Sequence, residues 1–153
     1  MTILSKNIHT NLEEETFNLG KSMGRAITPG IVVGFKGELG TGKTIFIKGI
    51  LAGLDYEPKN VASASFVLAQ EYKAKIPVVH IDLYRLGDKT EIFDIDLNEY
   101  SSSNNIVLIE WAEKIEDILD LDIYIKINFL NKINQRLIEV NTDNKKLLKR
   151  LHF

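Results

Sequence analysis

The feature that most constrains this chain is a glycine-rich stretch at residues 37–44, which reads GELGTGKT and fits the pattern G-x-x-x-x-G-K-[ST]. Glycines let the backbone curl tightly, so that successive amides point into one concavity, and a concavity capped by a helix N-terminus binds phosphate oxygens. Lys43 would add a positive charge for the outer phosphates, and the hydroxyl of Thr44 is a ligand for Mg²⁺. The pattern therefore predicts a nucleotide site formed by Glu38, Leu39, Gly40, Thr41, Gly42, Lys43 and Thr44.

The segments on either side of this loop support the same interpretation. Residues 31–35 are mostly apolar, as in a strand buried on both faces, and residues 44–54 place isoleucine and leucine along one side of a helix. The chain has 153 residues, of which 44% are apolar and 26% charged, and these values are ordinary for a globular domain with its own core. We therefore expect residues 1–153 to form one domain.

Hydrophobic periodicity and turn residues predict the remaining elements. Residues 10–27 are expected to form a helix, in which Thr10 and Glu13 have the spacing of a capping box. The link between strands predicted at 66–72 and 76–84 is too short for a crossover helix, so these strands should pair antiparallel. The other predicted elements are a helix at 91–100, strands at 106–109, 122–129 and 136–140, and an amphipathic segment at 145–152. This order of elements indicates the α/β class.

Two acidic residues follow apolar runs and are candidates for the metal that accompanies a nucleotide. Asp82 and Glu110 each lie at the carboxyl end of a predicted strand, where ligands bind in open α/β sheets. Their positions do not decide which one would bind the metal and which would position water. Trp111, the single tryptophan, is either a core anchor or a wall of the nucleotide site. His80 is interpreted as a hydrogen-bonded strand histidine, with catalysis as the alternative. Arg85 could reach a phosphate, although a surface ion pair is the commoner role for such a residue.

Charge and cysteine content bear on partners and location. The net charge is −2, whereas proteins that bind nucleic acid directly usually carry a basic surplus, so we expect nucleic acid to be an indirect partner at most. The chain contains no cysteine, which favours a reducing cytoplasm. We expect no secretory signal and no membrane span, because no apolar run approaches the ~20 residues that a spanning helix needs.

Several stretches together resemble the bacterial TsaE family, once called YjeE, whose members are small ATPases of tRNA threonylcarbamoyladenosine synthesis. The stretches that carry the resemblance are EEETFNLG (13–20), GELGTGKT (37–44), NVASASFVLAQEY (60–72), HIDLYRL (80–86) and IEWAEK (109–114). HIDLYRL and the IEW segment are far more specific to this family than the glycine-rich loop is. The last 35 or so residues add little to the resemblance.

The resemblance implies a three-layer P-loop NTPase fold: a central mixed, largely parallel sheet flanked by helices, with antiparallel strands toward the C-terminus. It also implies ATP as the nucleotide. It assigns Mg²⁺ to Thr44 and Glu110, and it makes Asp82 important for hydrolysis through the attacking water, so that Asp82, Lys43 and Glu110 form the catalytic set. In the family, a nucleotide-sensing switch corresponds to residues 63–66, which include Ser65.

The resemblance further implies that residues 10–12, starting with Thr10, help to hold the adenine side. Trp111 is counted among the predicted nucleotide-binding residues in its role as a wall of the site. The resemblance implies a role in trans as well. The ATPase docks on the threonylcarbamoyl-transferase complex, composed of the transferase subunit and its paralogous partner, and sustains its turnover by hydrolysing ATP. Hydrolysis by the isolated chain would be slow and would rise when the partners are present.

The switch departs from the pattern of the family. The family usually has Ser-Pro-Thr followed by Phe or Tyr, whereas this chain has Ala64 and Ser65 at the second and third positions. Loss of the proline raises the entropy cost of ordering the segment, while serine keeps a hydroxyl for a phosphate or metal contact. The departure therefore affects the expected regulation through this switch and leaves the expected ATP binding unchanged.

Three other interpretations of the loop remain open. A small P-loop kinase would usually carry an arginine-bearing lid, and the chain has no arginine-rich insertion. A GTPase would need Asn-Lys-x-Asp to read guanine, and the nearest match at 131–134 ends in Asn134. A nucleotide-binding regulatory module without significant hydrolysis would resemble a slow ATPase, although the presence of both Asp82 and Glu110 argues against lost activity.

Overall fold

The computed structural model of the chain describes residues 2–61, 69–87, 100 and 104–151, and a mixed sheet lies at its centre. In chain order, the strands of this described part are β1 (Leu4–Thr10), β2 (Val32–Lys36), β3 (Ala69–Tyr72), β4 (Val78–Asp82), β5 (Ile106–Glu110), β6 (Ile123–Phe129) and β7 (Arg136–Thr142). They form one seven-stranded sheet in the order β1-β7-β6-β2-β5-β4-β3.

The pairing of these strands divides the sheet into a parallel centre and antiparallel flanks. β2 pairs in parallel with β5 on one side and with β6 on the other, and β5 pairs in parallel with β4. β3 is antiparallel to β4, β7 to β6, and β1 to β7. The predicted α/β fold class, with antiparallel strands toward the C-terminus, is confirmed, as is antiparallel pairing of β3 with β4. The carboxyl ends of β2, β4 and β5 consequently meet at one edge of the sheet.

Helices α1 (Glu13–Ala26) and α2 (Lys43–Gly53) pack on one face of the sheet and touch each other through glycines. At each of four positions, a Cβ atom would lie only 2.1–2.3 Å from a carbonyl oxygen of the facing helix: Gly20, Gly24, Gly49 and Gly53. Any larger residue there would push the helices apart. The glycines therefore fix the position of α2, and with it the loop that precedes α2.

The opposite face of the sheet carries a second apolar cluster. Its strand residues alternate along the chain with those of the first cluster, as the period of a strand requires, so that Val107 and Ile109 of β5 face this side. A single turn of 3-10 helix at Ala112–Lys114 covers the centre of this face. Gly34 of β2 leaves room for it, because a Cβ there would lie 2.8 Å from the Cβ of Ala112.

The first predicted helix begins later than expected. Residues 4–10 form strand β1 instead, whose residues alternate between more and less exposed positions and pair with β7 over the whole strand, from Leu4 opposite Thr142 to Thr10 opposite Arg136. The prediction of a helix from residue 10 was therefore wrong at its start, because the sequence does not show that a distant strand is available for pairing.

The predicted capping box between Thr10 and Glu13 is also wrong. The carboxylate of Glu15 accepts a hydrogen bond from the amide of Leu12 at 3.2 Å, and it accepts a second one from the amide of Asn11. Thr10 instead contacts the hydroxyl of Thr16, with the two oxygens 3.0 Å apart. The acid that satisfies the free amides of the helix start thus lies two residues further along than the sequence pattern indicates.

The other predicted elements are confirmed within a few residues wherever the structure describes them. The segment at 145–152 contains helix α3 (Lys145–Arg150), and Leu147 and Leu151 are buried on its apolar side. The predicted helix at 91–100 lies outside the described residues except for Tyr100. Within the described ranges, none of the helices combines the length and the apolar character that crossing a membrane requires.

Candidate functional site

The glycine-rich loop leads directly from β2 into α2 at the carboxyl edge of the sheet. Gly40 and Gly42 adopt φ angles of +82° and +110°, which side chains with a Cβ rarely tolerate. Gly42 is the N-cap of α2, and its carbonyl oxygen accepts from the amide of Phe46 at 2.9 Å. The loop thus has the left-handed backbone turns and the following helix N-terminus that the sequence pattern predicts.

Lys43 is buried at the start of α2, with only 5% of its surface exposed. Its Nζ donates to the carbonyl oxygens of Gly37 at 2.5 Å and Glu38 at 2.9 Å, and it lies 4.3 Å from the ring centroid of Trp111. Burial lowers the pKa of Lys43, while the nearby carboxylates, led by Glu110, act in the opposite direction. The ammonium group is therefore held against the loop backbone and an aromatic face, both of which favour a cation.

A cavity of about 490 Å³ opens beside this loop. That volume lies within the range of about 300–1,000 Å³ that is usual for small-molecule sites. The cavity is lined by Glu13, Leu39, Gly40, Gly42, Lys43, Thr44, Ile45, Asp82, Tyr84, Arg85, Glu110 and Trp111. The carboxyl ends of β4 and β5, the glycine-rich loop and the first turn of α1 therefore share one hollow.

Glu110 connects the cavity to the interior of the sheet. One of its carboxylate oxygens, Oε1, accepts a hydrogen bond from the hydroxyl of Thr44 at 3.2 Å. The other, Oε2, lies 2.8 Å from Nε2 of His80, whose side chain is fully buried. The hydroxyl of the loop and the carboxylate of β5 therefore present two oxygen ligands close together at the mouth of the loop.

Asp82 lies beside Glu110, because β4 and β5 are parallel and these residues are register partners. Its Oδ1 accepts from the amide of Tyr84 at 2.9 Å. Burial raises the pKa of Asp82, and the neighbouring charge of Glu110 adds to this increase, whereas the amide of Tyr84 opposes it. Two carboxyl groups thus share the edge of the cavity.

Trp111 forms part of the cavity wall and is also an outlier in the backbone. It adopts a left-handed conformation with φ +61° and ψ +38°, and its ring centroid lies 5.1 Å from that of Tyr84. A bulky residue rarely adopts this conformation, and such outliers concentrate at functional sites. The backbone turn directly after Glu110 places the indole between Tyr84 and Lys43.

Most of the predicted site residues converge on the cavity. The members that line it are Leu39, Gly40, Gly42, Lys43, Thr44, Asp82, Glu110 and Trp111. Thr41 lies behind the loop, where its hydroxyl donates to the carbonyl oxygen of Glu38 at 2.9 Å. Thr10 is buried against Thr16 and does not line the cavity. Ser65 lies outside the described residues.

Sequence reasoning missed several residues of the site. Glu13, expected only as part of a helix cap, lines the cavity together with Tyr84. Arg136, at the start of β7, donates from Nε to the carbonyl oxygen of Thr41 at 2.9 Å. Its guanidinium carbon lies 4.6 Å from the ring centroid of Phe129. Tyr84 lies inside the HIDLYRL stretch and could have been identified there, whereas no local pattern marks Arg136.

The glycine-rich loop at the carboxyl edge of a mixed sheet, beside carboxylates from two parallel strands, defines an α/β protein with a candidate anion-binding site. The crystal structure of the Bacillus subtilis protein YdiB has the same fold, with a TM-score of 0.81 and 28% identity over 99% of this chain and 96% of that one. The family model described as "Threonylcarbamoyl adenosine biosynthesis protein TsaE" matches residues 10–138. The chain belongs to the TsaE family, which confirms the resemblance seen in its motifs.

Individual relatives carry the same description. The tRNA threonylcarbamoyladenosine biosynthesis protein TsaE of Rickettsia conorii is 36% identical over 141 residues, which cover 90% of this chain and 79% of that protein. The protein of the same name from Bacillus subtilis is 38% identical over 107 residues, which cover 69% of this chain and 66% of that protein. Both matches cover about two thirds or more of each chain.

Proposed function

We propose that this chain is an Mg²⁺-dependent ATPase that supports the formation of threonylcarbamoyladenosine in tRNA. The observation that carries the proposal is the cavity in which Lys43, Thr44 and Glu110 meet beside the glycine-rich loop. The relatives named as tRNA threonylcarbamoyladenosine biosynthesis proteins support the biological role. The proposed location is the cytoplasm, and residues 1–153 are proposed to act as one domain.

Binding of the triphosphate is proposed to depend on the loop and on Lys43. In the structure, Nζ of Lys43 has the carbonyl oxygens of Gly37 and Glu38 as acceptors. A phosphate oxygen is a stronger acceptor because it is charged, so the ammonium group would exchange a carbonyl contact for it. The N-terminus of α2 adds oriented amides and the positive end of the helix dipole.

The residues at the mouth of the loop fit Mg²⁺. Mg²⁺ is a hard cation that is usually bound by one or two protein oxygens together with substrate phosphates. Thr44 Oγ1 and Glu110 Oε1 are 3.2 Å apart and both belong to the cavity lining, so they are the residues that would hold the ion. When bound, the ion would neutralise charge on the transferring phosphate.

Asp82 is proposed to orient the attacking water. It lines the cavity next to Glu110, where its carboxyl group can reach a water molecule at the edge of the site. Phosphoryl transfer needs mainly correct positioning and charge stabilisation rather than covalent chemistry from the protein. A carboxylate that accepts a hydrogen bond from water would supply the positioning, and Lys43 would stabilise charge on the phosphate.

The partner is proposed to be the threonylcarbamoyl-transferase complex, with tRNA reached only through it. The test is to measure phosphate release from ATP by the chain alone, then with the purified transferase complex and tRNA, with Lys43→Ala as the inactive control. We expect slow release by the chain alone and a clear rise in the full mixture. Phosphate transferred to a small molecule would instead identify a kinase, and ATP binding without any release would identify a regulatory module.

A further inference from the structure

His80 is a buried polar residue in the middle of β4, and its exposed fraction is 0%. It lies two residues before Asp82 on the same face of β4, because side chains alternate along a strand. Its Nε2 is 2.8 Å from Oε2 of Glu110, whereas Nδ1 is buried without a hydrogen-bond partner among the described residues. The ring of Tyr72 stacks at 6.4 Å between centroids. Among the described residues, the imidazole therefore contacts Glu110 through Nε2 and the ring of Tyr72 through its face.

Packing alone does not favour a histidine at this position. Burying a nitrogen without a partner costs free energy, and an apolar side chain of similar volume would avoid that cost. The same strand face carries Val78 in the apolar core, two residues before His80. The interaction that justifies the imidazole is thus the one between Nε2 and Glu110.

We propose that His80 is a positioning residue that holds Glu110 for the divalent cation of the site; the inference rests on the proposed Mg²⁺-dependent function. In the proposed arrangement Nε2 would donate to Oε2, 2.8 Å away, while Oε1 accepts from the hydroxyl of Thr44. Because each carboxylate oxygen has its own partner, the carboxylate cannot rotate without losing a hydrogen bond. From a position inside the core, His80 thereby keeps Oε1 directed toward Thr44, where the cation would bind.

Residues that hydrogen-bond to a metal ligand have a measurable effect on metal affinity. Their removal typically lowers metal affinity about 10–100-fold even though they never touch the metal. A role of this kind predicts a loss that is confined to the cation and leaves the contacts between nucleotide and loop in place. A purely structural histidine would instead affect binding with and without the cation equally.

Two variants separate these cases because their amides mimic different ring nitrogens. The amide nitrogen of His80→Gln can reach the position of Nε2, whereas the shorter side chain of His80→Asn ends near the position of Nδ1. Both bury an amide at the same position, so each is a matched control for the other. Calorimetry with a nonhydrolysable ATP analogue, first in EDTA and then at increasing Mg²⁺, gives the affinity without the cation and the Mg²⁺ concentration for half-maximal effect.

We expect the affinity in EDTA to stay within about twofold of wild type in both variants. The half-maximal Mg²⁺ concentration should rise about 10-fold or more in His80→Asn and stay within about threefold of wild type in His80→Gln. Equal behaviour of the two variants, or an equal loss in EDTA and in Mg²⁺, would overturn the inference. Wild-type protein that binds the analogue no better with Mg²⁺ than in EDTA would contradict the proposed function itself.

A second measurement uses the unmodified chain, so it does not depend on the folding of either variant. Heteronuclear NMR of protein labelled with ¹⁵N-histidine should show that His80 carries its proton on Nε2, and addition of Mg²⁺ with the analogue should shift that resonance. A proton on Nδ1 alone would reverse the direction of the hydrogen bond to Glu110 and overturn the inference.

Discussion

The strands on the two sides of β2 both contribute residues near the glycine-rich loop, but these residues differ in what they contact. On the side of β4 and β5, Asp82, Glu110 and Trp111 line the cavity. On the side of β6 and β7, Arg136 reaches the rear of the loop and binds the carbonyl oxygen of Thr41. The side of β4 and β5, here called the parallel side, supplies groups that can face a ligand. The side of β6 and β7, here called the antiparallel side because β7 runs antiparallel to β6, supports the backbone that carries the loop.

This difference has a physical origin in the direction of the strands. Parallel strands end at the same edge, so β4 and β5 bring carboxylates to the end of β2 where the loop starts. β7 runs the other way, and its first residue, Arg136, is the one placed at that edge. An arginine at a strand start and carboxylates at strand ends therefore lie at the same edge of the sheet, on different sides of the loop.

The largest expected effect comes from Lys43→Ala. Removal of the ammonium group leaves phosphate charge unpaired in the cavity, which typically costs about 2–5 kcal/mol, or at least about 30-fold in affinity. Calorimetric titration with ATP and Mg²⁺ measures the loss. The control is Lys36→Ala, which changes an exposed lysine at the end of β2 and should leave affinity within about twofold. An unchanged affinity for Lys43→Ala would contradict the proposed site.

A second prediction separates the two carboxylates of the parallel side. Glu110→Ala should raise the Mg²⁺ concentration needed for nucleotide binding, because it removes a proposed direct ligand of the ion. The increase should exceed the roughly 10–100-fold that is typical when a residue hydrogen-bonded to a metal ligand is removed. Asp82→Ala should change that concentration much less and lower hydrolysis instead. Emission of Trp111, the single tryptophan and part of the cavity wall, can report the binding. The reverse order would mean that the proposed roles are exchanged.

A smaller effect is expected from Arg136→Gln on the antiparallel side. The variant loses the charged hydrogen bond to the carbonyl oxygen of Thr41 and the contact with Phe129, but no group that lines the main cavity. A loss of about 1 kcal/mol, or roughly fivefold in ATP affinity, is expected because the loop loses support rather than a ligand contact. Calorimetric titration of Arg136→Gln and Lys43→Ala with ATP and Mg²⁺ gives the ratio of their losses in affinity. An equal loss in both variants would remove the distinction between the two sides.

The smallest effect concerns stability and pH. Burial raises the pKa of Asp82 in the folded chain, so the folded state binds this proton more tightly than the unfolded state. Ionisation of Asp82 therefore lowers the free energy of unfolding as the pH rises from about 4 through the raised pKa. At about pH 3 the carboxyl group is protonated in both the folded and the unfolded state, so this effect is absent. Asp82→Asn keeps an oxygen acceptor for the amide of Tyr84, and it should stabilise the nucleotide-free chain at pH 7.

Because Asp82 is only half-buried, water screens its interactions and the gain should stay below about 1 kcal/mol, or about 2–4 °C in Tm. Thermal unfolding at pH 7 and pH 3 provides the measurement. The matched control is Asp143→Asn, which changes an exposed aspartate beyond the end of β7. A gain of equal size at both pH values would show that charge is not the cause.

The parallel side of the site could be predicted from sequence because each of its parts carries a local signal. The glycine pattern predicts the backbone conformation of the loop. Asp82 and Glu110 follow apolar runs that predict parallel strands, and the carboxyl ends of such strands meet at one edge of the sheet. The structure places these groups around one cavity, as expected. What it adds is how they connect, above all through His80, whose sequence position gave no indication of contact with Glu110.

The antiparallel side could not be predicted, because its contacts join residues that are far apart in the chain. Arg136 binds a carbonyl 95 residues away, and β1 pairs with β7 near the other end of the chain. Residues 10–13 also match a capping-box pattern by chance, so the sequence predicted a helix start at residue 10, where β1 ends. The contact between α1 and α2 could not be predicted for a similar reason. The four glycines inside these helices are recognisable as contact positions only once the two helices are placed side by side.

The close packing of α1 and α2 brings the starts of both helices to the cavity, and the two starts differ in charge. α1 opens with Glu13, Glu14 and Glu15, whose carboxylates balance the positive end of its own peptide dipoles. The first turn of α2 contains no acidic residue. An anion that entered the cavity would therefore be repelled at one helix start and attracted at the other, and this asymmetry would favour one orientation of the anion.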